Sequence, residues 1–399
     1  MPDVFMTKEE LAFRSEFRGF VTREIEPLGL SEKMENDEID FPVDIPRQLG
    51  RAGYFGMCLP EKYGGKSRGL VYEIIKSEEL AYLYPSLSCP GCMTGWVANA
   101  IVTHGTELLK EKYAEPVVRG ELIAAIAMTE PAAGSDINGY KTRAAKDGDH
   151  YVISGEKRFQ VGGLGADFFL TFAVTNPDLP PLKGGLSAFL IEREMGMEVV
   201  EKYRMMGFHG TGTSHMIMRG ARVPAANLLG QEGQGMEILD TILCWERLST
   251  SAAQLGNSRR CLDEALKYSL EREAYGAPIS RLPSVNNIIA EMVMKRDMAA
   301  MMILRACRLV DQYGTRAMKE VAEAKYVGTE YGYEIADKCL QIFGGIGYTN
   351  KYPVESCFRI ARLGRIASGT SEVMQYIVQR DFYKEILGRK KPLYETFER

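Results

Sequence analysis

Apolar residues recur at three- and four-residue spacing along the first third of the chain. Runs over 9–25 and 71–84 show this spacing most clearly, and it predicts amphipathic helices. Thr7 followed by Glu10 fits a capping box that opens the first of these helices. Glycine and proline pairs separate the runs, so the region is expected to be a set of packed helices.

A shorter period replaces this pattern in the middle of the chain, from about Ala124 to Arg222. Five short segments there are rich in β-branched and aromatic residues and are bounded by Gly, Asp or Pro, which predicts strands. They begin at His150, Asp167, Leu186, Met197 and Ser214. Strands of this length and spacing predict a small β-barrel or a sandwich.

Long helical periods return after Gly235, in sequence rich in the strong helix formers Ala, Met, Leu, Glu and Arg. They cover 236–271, 285–314 and 318–343. The order of helix, strand and helix predicts an α+β chain in which two helical blocks surround a β insert. We therefore expect a helical domain over 1–123, a β domain over 124–234 and a second helical domain over 235–399.

Composition and charge exclude two classes of partner. The 399 residues are 45% hydrophobic, and 49 basic side chains nearly balance 53 acidic ones. Because no Lys/Arg run or basic face stands out, we expect no nucleic acid partner. Because no apolar stretch approaches the ~18–20 residues of a transmembrane helix, we expect no membrane span. The N-terminus has neither an apolar signal core nor the composition of a transit peptide, which favours the bacterial cytoplasm.

The eight cysteines are scattered along the chain. Cys89 and Cys92 have the spacing of a redox or zinc pair, but no second pair and no nearby histidine accompany them. The sequence therefore predicts no metal site, and none of the four histidines falls in a catalytic motif.

The first motif with chemical content is AMTEPAAGSD, from Ala127 to Asp136. Its small residues leave the backbone amides uncrowded, and Ser135 adds a hydroxyl, which suits a loop that wraps a phosphate or the edge of a flavin. Taken alone the motif is weak, because most glycine-rich polar turns only connect strands.

A second motif is QIFGGIGYTNKYPVE, from Gln341 to Glu355. Gly344 and Gly345 permit close approach of another group to the backbone. No predicted strand precedes them, so a dinucleotide-binding βαβ unit is not indicated. A turn between two helices is the alternative.

Five pieces occur in order and at sensible separations: TEPAAGSD, VPAANLLGQEGQG, ER-x-x-YG-x-PI, QIFGGIGYTNKYPVE and GTSE. Together they resemble the acyl-CoA dehydrogenases, and the resemblance covers nearly the whole chain. It implies a middle β-barrel domain, a C-terminal four-helix bundle, bound FAD and a homotetramer. It also implies α,β-dehydrogenation of an acyl-CoA thioester, with hydride transfer to flavin N5 and electron-transfer flavoprotein as the electron acceptor.

Matching the family motifs position by position gives the site residues that the resemblance implies. The expected cofactor contacts are Met128, Thr129, Gly134, Ser135, Phe159, Val161, Arg272, Tyr275, Gln341, Gly344, Gly345, Thr370 and Glu372. The expected substrate contacts are Ser135, Arg247, Ser368 and Gly369. Arg272, Tyr275 and the Gln341 motif would reach the FAD of a neighbouring subunit.

Three of these positions depart from the usual pattern of the family. Val161 replaces a hydroxyl residue near the reactive nitrogen of the flavin, and Phe159 stands where a tryptophan is frequent. Glu372 replaces a glutamine of some members. These changes put ordinary redox tuning in doubt without removing the cofactor site.

The residue before the Gly-Thr pair is the largest departure. Family members usually place their catalytic glutamate there, whereas this chain has Ser368, which cannot take a proton from carbon by itself. In the isovaleryl-CoA and long-chain members the base comes from a bundle helix instead, and Glu246 matches that position. Because both halves of this exchange occur together, Glu246 is predicted to be the base.

Two other interpretations of these acidic residues stay open. Glu246 could make a local ion pair, as most surface helix glutamates do. Glu372, two residues beyond the Gly-Thr pair, is the rival base.

The acyl group is the least determined part of the prediction. Gly91 and Gly95, in the segment CPGCMTGW, are expected to make room for a branched or cyclic short acyl chain. The exact acyl group, the physiological direction and the electron acceptor stay open. The alternatives are an enoyl-CoA reductase of the crotonobetainyl-CoA type, a flavin-dependent monooxygenase or oxidase, and a non-catalytic acyl-CoA- or flavin-binding subunit.

Overall fold

The computed structural model describes residues 5–393, so the first four and last six positions of the predicted domains lie outside it. Helices occupy the N-terminal part up to residue 118. They are α1 Lys8–Phe20, α2 Leu30–Glu35, α3 Asp44–Arg51, α4 Leu70–Leu83, α5 Ser88–His104, α6 Glu107–Leu109 and α7 Glu115–Val118. The capping box is confirmed, because Thr7 Oγ1 accepts from Glu10 N at 3.2 Å while Thr7 N donates to Glu10 Oε2 at 2.9 Å.

Helices α4 and α5 form the centre of this region. Residues 70–81 of α4 are all buried, and the ion pair of Glu73 and Lys76 is buried with them. Helix α5 lies against the start of the middle domain, where Thr94 Oγ1 donates to Ala124 O at 3.2 Å. The N-terminal helices and the middle domain therefore share one continuous core.

In the described residues, eight strands form one sheet in the middle of the chain. They are β1 Ala124–Ala127, β2 Arg143–Asp147, β3 His150–Gln160, β4 Phe168–Val174, β5 Leu186–Glu192, β6 Glu198–Lys202, β7 Ser214–Pro224 and β8 Leu228–Leu229. The order is β6-β7-β3-β2-β4-β5-β8, and β1 pairs with β4 in parallel.

The predicted closed β-barrel is wrong. The end strands β6 and β8 do not pair within residues 5–393, and β2 joins β4 through only one residue pair. Strand β4 is buried along its whole length, which fits the continuous apolar run FFLTFAV. Because neighbouring helices help to cover the sheet, its apolar faces do not require closure into a barrel.

The C-terminal part is again helical. It contains α8 Gly235–Glu271, α9 Pro283–Tyr313, α10 Met318–Phe343, α11 Val354–Gly364 and α12 Ser371–Ile386, with a short hairpin of β9 Glu273–Ala274 and β10 Ala277–Pro278 after α8. The three long helices predicted from periodicity are thus confirmed to within two residues. Helix α10 is central and packs against α8, α9 and α12.

Helix α8 also joins the C-terminal helices to the N-terminal ones. A β-carbon at Gly256 would lie 2.3 Å from Glu78 O, so α8 can cross α4 at this distance only because the residue is glycine. Across residues 5–393, no helix combines the length and the apolarity that crossing a membrane requires.

Candidate active site

Glu246 of α8 meets Ser368 of the loop between α11 and α12. Ser368 Oγ donates a hydrogen bond to Glu246 Oε1 at 2.9 Å. Thr250, one turn further along α8, places its Oγ1 3.0 Å from Ser368 Oγ. The structure therefore brings together the predicted base and the residue that replaces the usual one.

The loop that carries Ser368 is held in an uncommon backbone conformation. Ser368 has φ 58° and Gly369 has φ 91°, so two consecutive residues lie at positive φ. Arg247 Nε donates to Ser368 O at 3.1 Å, and Lys325 Nζ donates to Gly369 O at 2.6 Å. Thr370 then caps α12 by accepting from Val373 N at 3.3 Å.

Arg247 was predicted to contact the substrate, and its position adds another role. Its side chain is 5% exposed, and its guanidinium group contacts Ser368 O and the sulfur of Met318. Arg247 thus holds the loop between α11 and α12 by a hydrogen bond to its backbone. Its contact with acyl-CoA stays a prediction.

Burial raises the pKa of the half-buried Glu246 carboxyl above its usual value. The hydrogen bond from Ser368 and the charges of Arg247 and Lys325 oppose this shift without cancelling it. Burial also lowers the pKa of Lys325 to about 8, and Arg247 contributes in the same direction. A carboxylate that has lost much of its hydration and has few donors is a stronger base than a solvated one.

Glu372, the rival base, lies in the first turn of α12 and is exposed. A hydrogen bond from its own backbone N–H, followed by one from Thr370, lowers the pKa of its carboxyl. These features are typical of a helix-terminal carboxylate in water and make Glu372 the weaker candidate.

Helix α5 forms another wall near Glu246. It packs against α8, and burial raises the pKa of its Cys89 thiol, with Cys92 and Glu246 adding to this shift. Met93, further along α5, packs against Gly162, which follows β3. A β-carbon added at Gly162 would lie 2.6 Å from the terminal methyl of Met93. The thiols of Cys89 and Cys92 are free and buried.

The expectation that Gly91 makes room for the acyl chain is wrong. A β-carbon there would lie 2.3 Å from Leu80 Cδ1 and 3.3 Å from Leu49 Cδ1. Gly91 therefore lets α5 pack against the leucines of α3 and α4. At Gly95 the nearest atom to an added β-carbon is Phe55 Cδ1 at 3.8 Å, which is ordinary contact.

The predicted cofactor loop of the middle domain is fixed by a buried ion pair. Lys157 Nζ lies 2.8 Å from Glu130 Oε1 and also donates to Met128 O at 3.2 Å. Thr129 O accepts from Arg158 N at 2.7 Å, which joins the loop to the end of β3. These contacts leave Gly134 and Ser135 exposed at the tip of the loop.

The same region offers an open surface with an aromatic ring. Phe159 has φ 57° and is 57% exposed, although its ring centre lies 5.0 Å from that of Tyr203. Val161 is partly buried against the core. Apart from its two chain neighbours, no residue of the described part of the chain comes within 4 Å of a β-carbon added at Gly134. An exposed ring beside an uncrowded loop fits the flat ring system and the phosphates of FAD.

The remaining predicted cofactor residues lie at the other end of the C-terminal helices. Arg272 follows α8, and Tyr275 is 95% exposed at the tip of the β9–β10 hairpin. Gln341, Gly344 and Gly345 lie where α10 ends, and nothing surrounds an added β-carbon at either glycine. The rings of Tyr268 and Phe343, 4.1 Å apart, hold these two helix ends together.

This second set is far from the first. Helix α8 continues for 25 residues beyond Glu246, which at 1.5 Å per residue is roughly 37 Å. Within one copy of the chain, the structure does not bring Arg272, Tyr275 or Gln341 near Glu246 or Thr370.

Two residues of the site were not predicted from the sequence. Thr250 is four residues after Glu246, so the helical repeat could have placed both on one face. Lys325 carries no such signal, because its contact with Gly369 joins α10 to a loop that is distant in the sequence.

Three family models match the chain in order. They are the acyl-CoA dehydrogenase N-terminal domain over residues 7–121, the middle domain over 125–221 and the C-terminal domain over 233–382.

Relatives with known names match along most of their length. An acyl-CoA dehydrogenase of Bacillus subtilis is 32% identical over 94% of this chain and 98% of its own length. An isovaleryl-CoA dehydrogenase of Pongo abelii is 30% identical over 94% and 89% of the two chains. The caffeyl-CoA reductase–Etf complex subunit CarC of Acetobacterium woodii is 32% identical over 94% and 98%. The solved butyryl-CoA dehydrogenase of Megasphaera elsdenii superimposes with a TM-score of 0.90 at 30% identity, covering 95% of this chain and 99% of that one.

Proposed function

This chain belongs to the acyl-CoA dehydrogenase family, FAD-dependent oxidoreductases that act on the CH–CH bond of acyl-CoA, and we propose that Glu246 is its α-proton base and a short branched or cyclic acyl-CoA its substrate. The observation that carries the proposal is the hydrogen bond from Ser368 to Glu246. It puts a carboxylate next to the position from which the usual catalytic glutamate is absent.

A thioester α carbon is a weak acid, so its carbonyl oxygen needs donors that stabilise the developing enolate. Among the hydrogen bonds of residues 5–393, none uses the backbone N–H of Ser368. This N–H is therefore available to the thioester carbonyl, although the side chain has changed from glutamate to serine. Glu246, on the adjacent helix, accepts the α proton.

Bound FAD would supply the hydride acceptor for the β hydrogen. The residues that would hold its ring system and pyrophosphate are those of the uncrowded loop at Gly134 and Ser135, together with Thr129 and Phe159. Thr370 would contact it from the C-terminal helices. Val161 has no hydroxyl, so any hydrogen bond that the family's usual hydroxyl residue makes to the flavin would have to come from another group.

We further propose a homotetramer that completes the cofactor site. Arg272 and Tyr275 lie beyond the end of α8, roughly 37 Å along the helix from Glu246, so we place them against the FAD of a second copy. A second copy would bring its exposed Tyr275, Gly344 and Gly345 against the first.

The branched or cyclic substrate rests on two observations. The proposed base, Glu246, lies on α8, the helix that the resemblance to the isovaleryl-CoA members implies, and an isovaleryl-CoA dehydrogenase is 30% identical to this chain. Electron-transfer flavoprotein is the proposed electron acceptor, because a similar chain is a subunit of a reductase–Etf complex.

Reduction of an enoyl-CoA is the second candidate function, and two observations favour it. A relative at 32% identity is a caffeyl-CoA reductase subunit. The raised pKa of Glu246 also helps the carboxyl to hold the proton that reduction would deliver to the α carbon.

The test is an anaerobic titration of the FAD-loaded protein with butyryl-, isobutyryl-, isovaleryl- and cyclohexanoyl-CoA. Wild type, Glu246→Gln and Glu372→Gln are compared by bleaching of the visible flavin band. We expect bleaching in wild type and Glu372→Gln, and a rate roughly 10²–10⁴-fold lower in Glu246→Gln.

Each other outcome has a definite meaning. Bleaching that survives in Glu246→Gln but is lost in Glu372→Gln would assign the base to Glu372. If no saturated acyl-CoA bleaches the wild type, the reduced protein is mixed with the matching enoyl-CoA thioesters. Reoxidation by one of them would support the reductase, and reoxidation by air alone would support an oxygen-reacting enzyme.

A further inference from the structure

We propose that Thr250 and Ser368 are positioning residues for Glu246: Thr250 donates a hydrogen bond to Ser368, Ser368 donates one to Glu246, and this chain of hydroxyls orients the carboxylate. The proposal rests on the proposed function, in which Glu246 is the base. In this proposal the two hydroxyl groups orient the Glu246 carboxylate. This role is separate from that of the Ser368 backbone N–H, which is proposed to bind the thioester carbonyl.

The direction of the two hydrogen bonds follows from what each group can do. An ionised carboxylate only accepts, so across the 2.9 Å contact Ser368 must supply the proton. A serine hydroxyl has one proton, and once it is used, the oxygen can only accept from Thr250 across the 3.0 Å contact. The order Thr250, Ser368, Glu246 is therefore determined whenever Glu246 is charged.

Thr250 uses its hydroxyl differently from three other hydroxyl residues of α8. Thr241, Ser251 and Ser258 each donate to the carbonyl four residues earlier, at 3.1, 2.7 and 2.7 Å. This local bond is the common choice for a hydroxyl inside a helix. Thr241 also contacts His104 of α5 at 2.9 Å, whereas the contact of Thr250 is with Ser368, the residue that donates to Glu246.

Ser368 is held on α8 by three residues of one helical turn. Glu246 and Thr250 contact its hydroxyl, and Arg247 Nε contacts its carbonyl oxygen at 3.1 Å. Ser368 is 8% exposed and sits at φ 58°, where glycine would be unstrained. A residue with a β-carbon is thus kept in a strained conformation, with its hydroxyl between Glu246 and Thr250.

Several charged or titratable groups surround Glu246 besides this hydroxyl. Arg247 lies on the same helix, Lys325 faces it from α10, and the Cys89 thiol faces it from α5. Arg247 and Lys325 favour the charged carboxylate, and burial opposes it. Ser368 is the group that donates directly to a carboxylate oxygen, and its hydrogen bond lowers the pKa of Glu246.

The variants separate the hydroxyl from the backbone. Ser368→Ala removes the hydroxyl and keeps the strain at positive φ, whereas Ser368→Gly removes both. Thr250→Val removes the second hydroxyl at nearly constant shape, and Thr250→Ser restores it.

The first measurement needs no substrate. The infrared carbonyl band of the protonated Glu246 carboxyl, assigned by its loss in Glu246→Gln, is titrated against pH in the FAD-loaded protein. We expect the pKa of Glu246 to rise by roughly one unit in both Ser368→Ala and Ser368→Gly, because a hydrogen bond to the charged form is lost. Thr250→Val should raise it less, and Thr250→Ser should match wild type.

The second measurement follows exchange of the α protons of isovaleryl-CoA in D₂O by mass spectrometry. The exchange rate should rise with pH, and the midpoint of this rise should shift to higher pH in each variant by as much as the pKa of Glu246 measured by infrared titration. Because titration of Lys325 also lies near pH 8, the midpoint is read from the difference between each variant and wild type.

Unchanged infrared pKa values in Ser368→Ala and Ser368→Gly would overturn the proposal. So would a shift in Ser368→Gly alone, because the backbone and not the hydroxyl would then be responsible. Absence of exchange in wild type, with the infrared shifts present, would refute the proposed base and leave the hydroxyl chain intact.

Discussion

Glu130 is buried and Glu246 is half-buried, and their surroundings shift the pKa values of the two carboxyls in opposite directions. Glu130, in the cofactor loop, is paired with Lys157 at 2.8 Å and accepts from the backbone N–H of Lys141 at 2.6 Å and of Thr142 at 3.2 Å. Burial raises the pKa of Glu130, but Lys157 and the backbone donors more than offset it, so the pKa is lowered. Among residues 5–393, Ser368 is the one hydrogen-bond donor to the Glu246 carboxylate, and the pKa of Glu246 stays raised.

The comparison shows that burial alone does not make a carboxylate a base. Full pairing turns Glu130 into a structural anchor, whose charge is needed to hold the loop. Partial pairing leaves the negative charge of Glu246 incompletely stabilised, so it gains by taking a proton. The number of donors, set by the fold, decides between the two roles.

The largest expected effect comes from breaking the pairing of Glu130. Lys157→Met leaves a buried carboxylate without its cation and should lower the free energy of unfolding by about 3–5 kcal/mol. Urea unfolding of the FAD-free protein measures it. The double variant Lys157→Met/Glu130→Gln serves as the control, since it removes the unpaired charge and should recover part of the loss. Equal stability of the single and double variants would show that the ion pair is not the anchor.

A smaller effect is expected from loosening the loop beside Glu246. Lys325 Nζ donates to Gly364 O at 2.8 Å and to Gly369 O at 2.6 Å. Lys325→Met leaves both buried carbonyls without this donor and should cost about 1–3 kcal/mol of stability. It should also raise the pKa of Glu246, because a nearby positive charge is lost. Lys351→Met, at an exposed lysine, is the matched control, and a loss of similar size there would argue against a local role for Lys325.

The smallest expected effect is on the pH dependence of the free energy of unfolding, to which Glu246 and Glu130 should contribute with opposite signs. The pKa of Glu246 is raised in the folded protein, so its contribution to stability is fully present below the unfolded pKa of about 4.3 and is lost as pH rises through the folded value. Glu130 behaves oppositely, because its folded pKa is lowered. Its contribution is present above about pH 4.3 and is lost as pH falls through the folded value.

Urea unfolding of Glu246→Gln and Glu130→Gln against wild type, from acid to pH 8, tests both signs. Relative to Glu246→Gln, wild type should lose stability as pH rises through the folded pKa of Glu246. Relative to Glu130→Gln, it should gain stability over the acid range. Parallel curves for the two variants would remove the distinction between anchor and base.

The sequence predicted the helices well because their apolar spacing is a local property. The spans of α8, α9 and α10 follow from periodicity, and each ends within two residues of its prediction. The five predicted strands correspond to β3, β4, β5, β6 and β7, whereas β1, β2 and β8 were not predicted and the closed barrel was wrong. Whether a sheet closes depends on how its end strands β6 and β8 lie relative to each other, and no local pattern records that.

Gly91 shows the same limit at one residue. A glycine in an apolar helix permits close approach, but the sequence does not say what approaches it. Here the leucines of α3 and α4 fill the space. The place of the acyl chain is therefore not given by the small residues of α5.

The sequence by itself determined the order of the helical and β regions and the family motifs. It also showed that a glutamate at position 246 occurs together with a serine, in place of the usual glutamate, at position 368. These depend on residue identity and spacing, which are present in the chain before it folds. Only the tertiary structure decided that Thr250, Ser368 and Glu246 form one hydrogen-bonded chain and that Lys325 faces it. Those contacts join helices and a loop far apart in the sequence, so their distances and burial arise from packing alone.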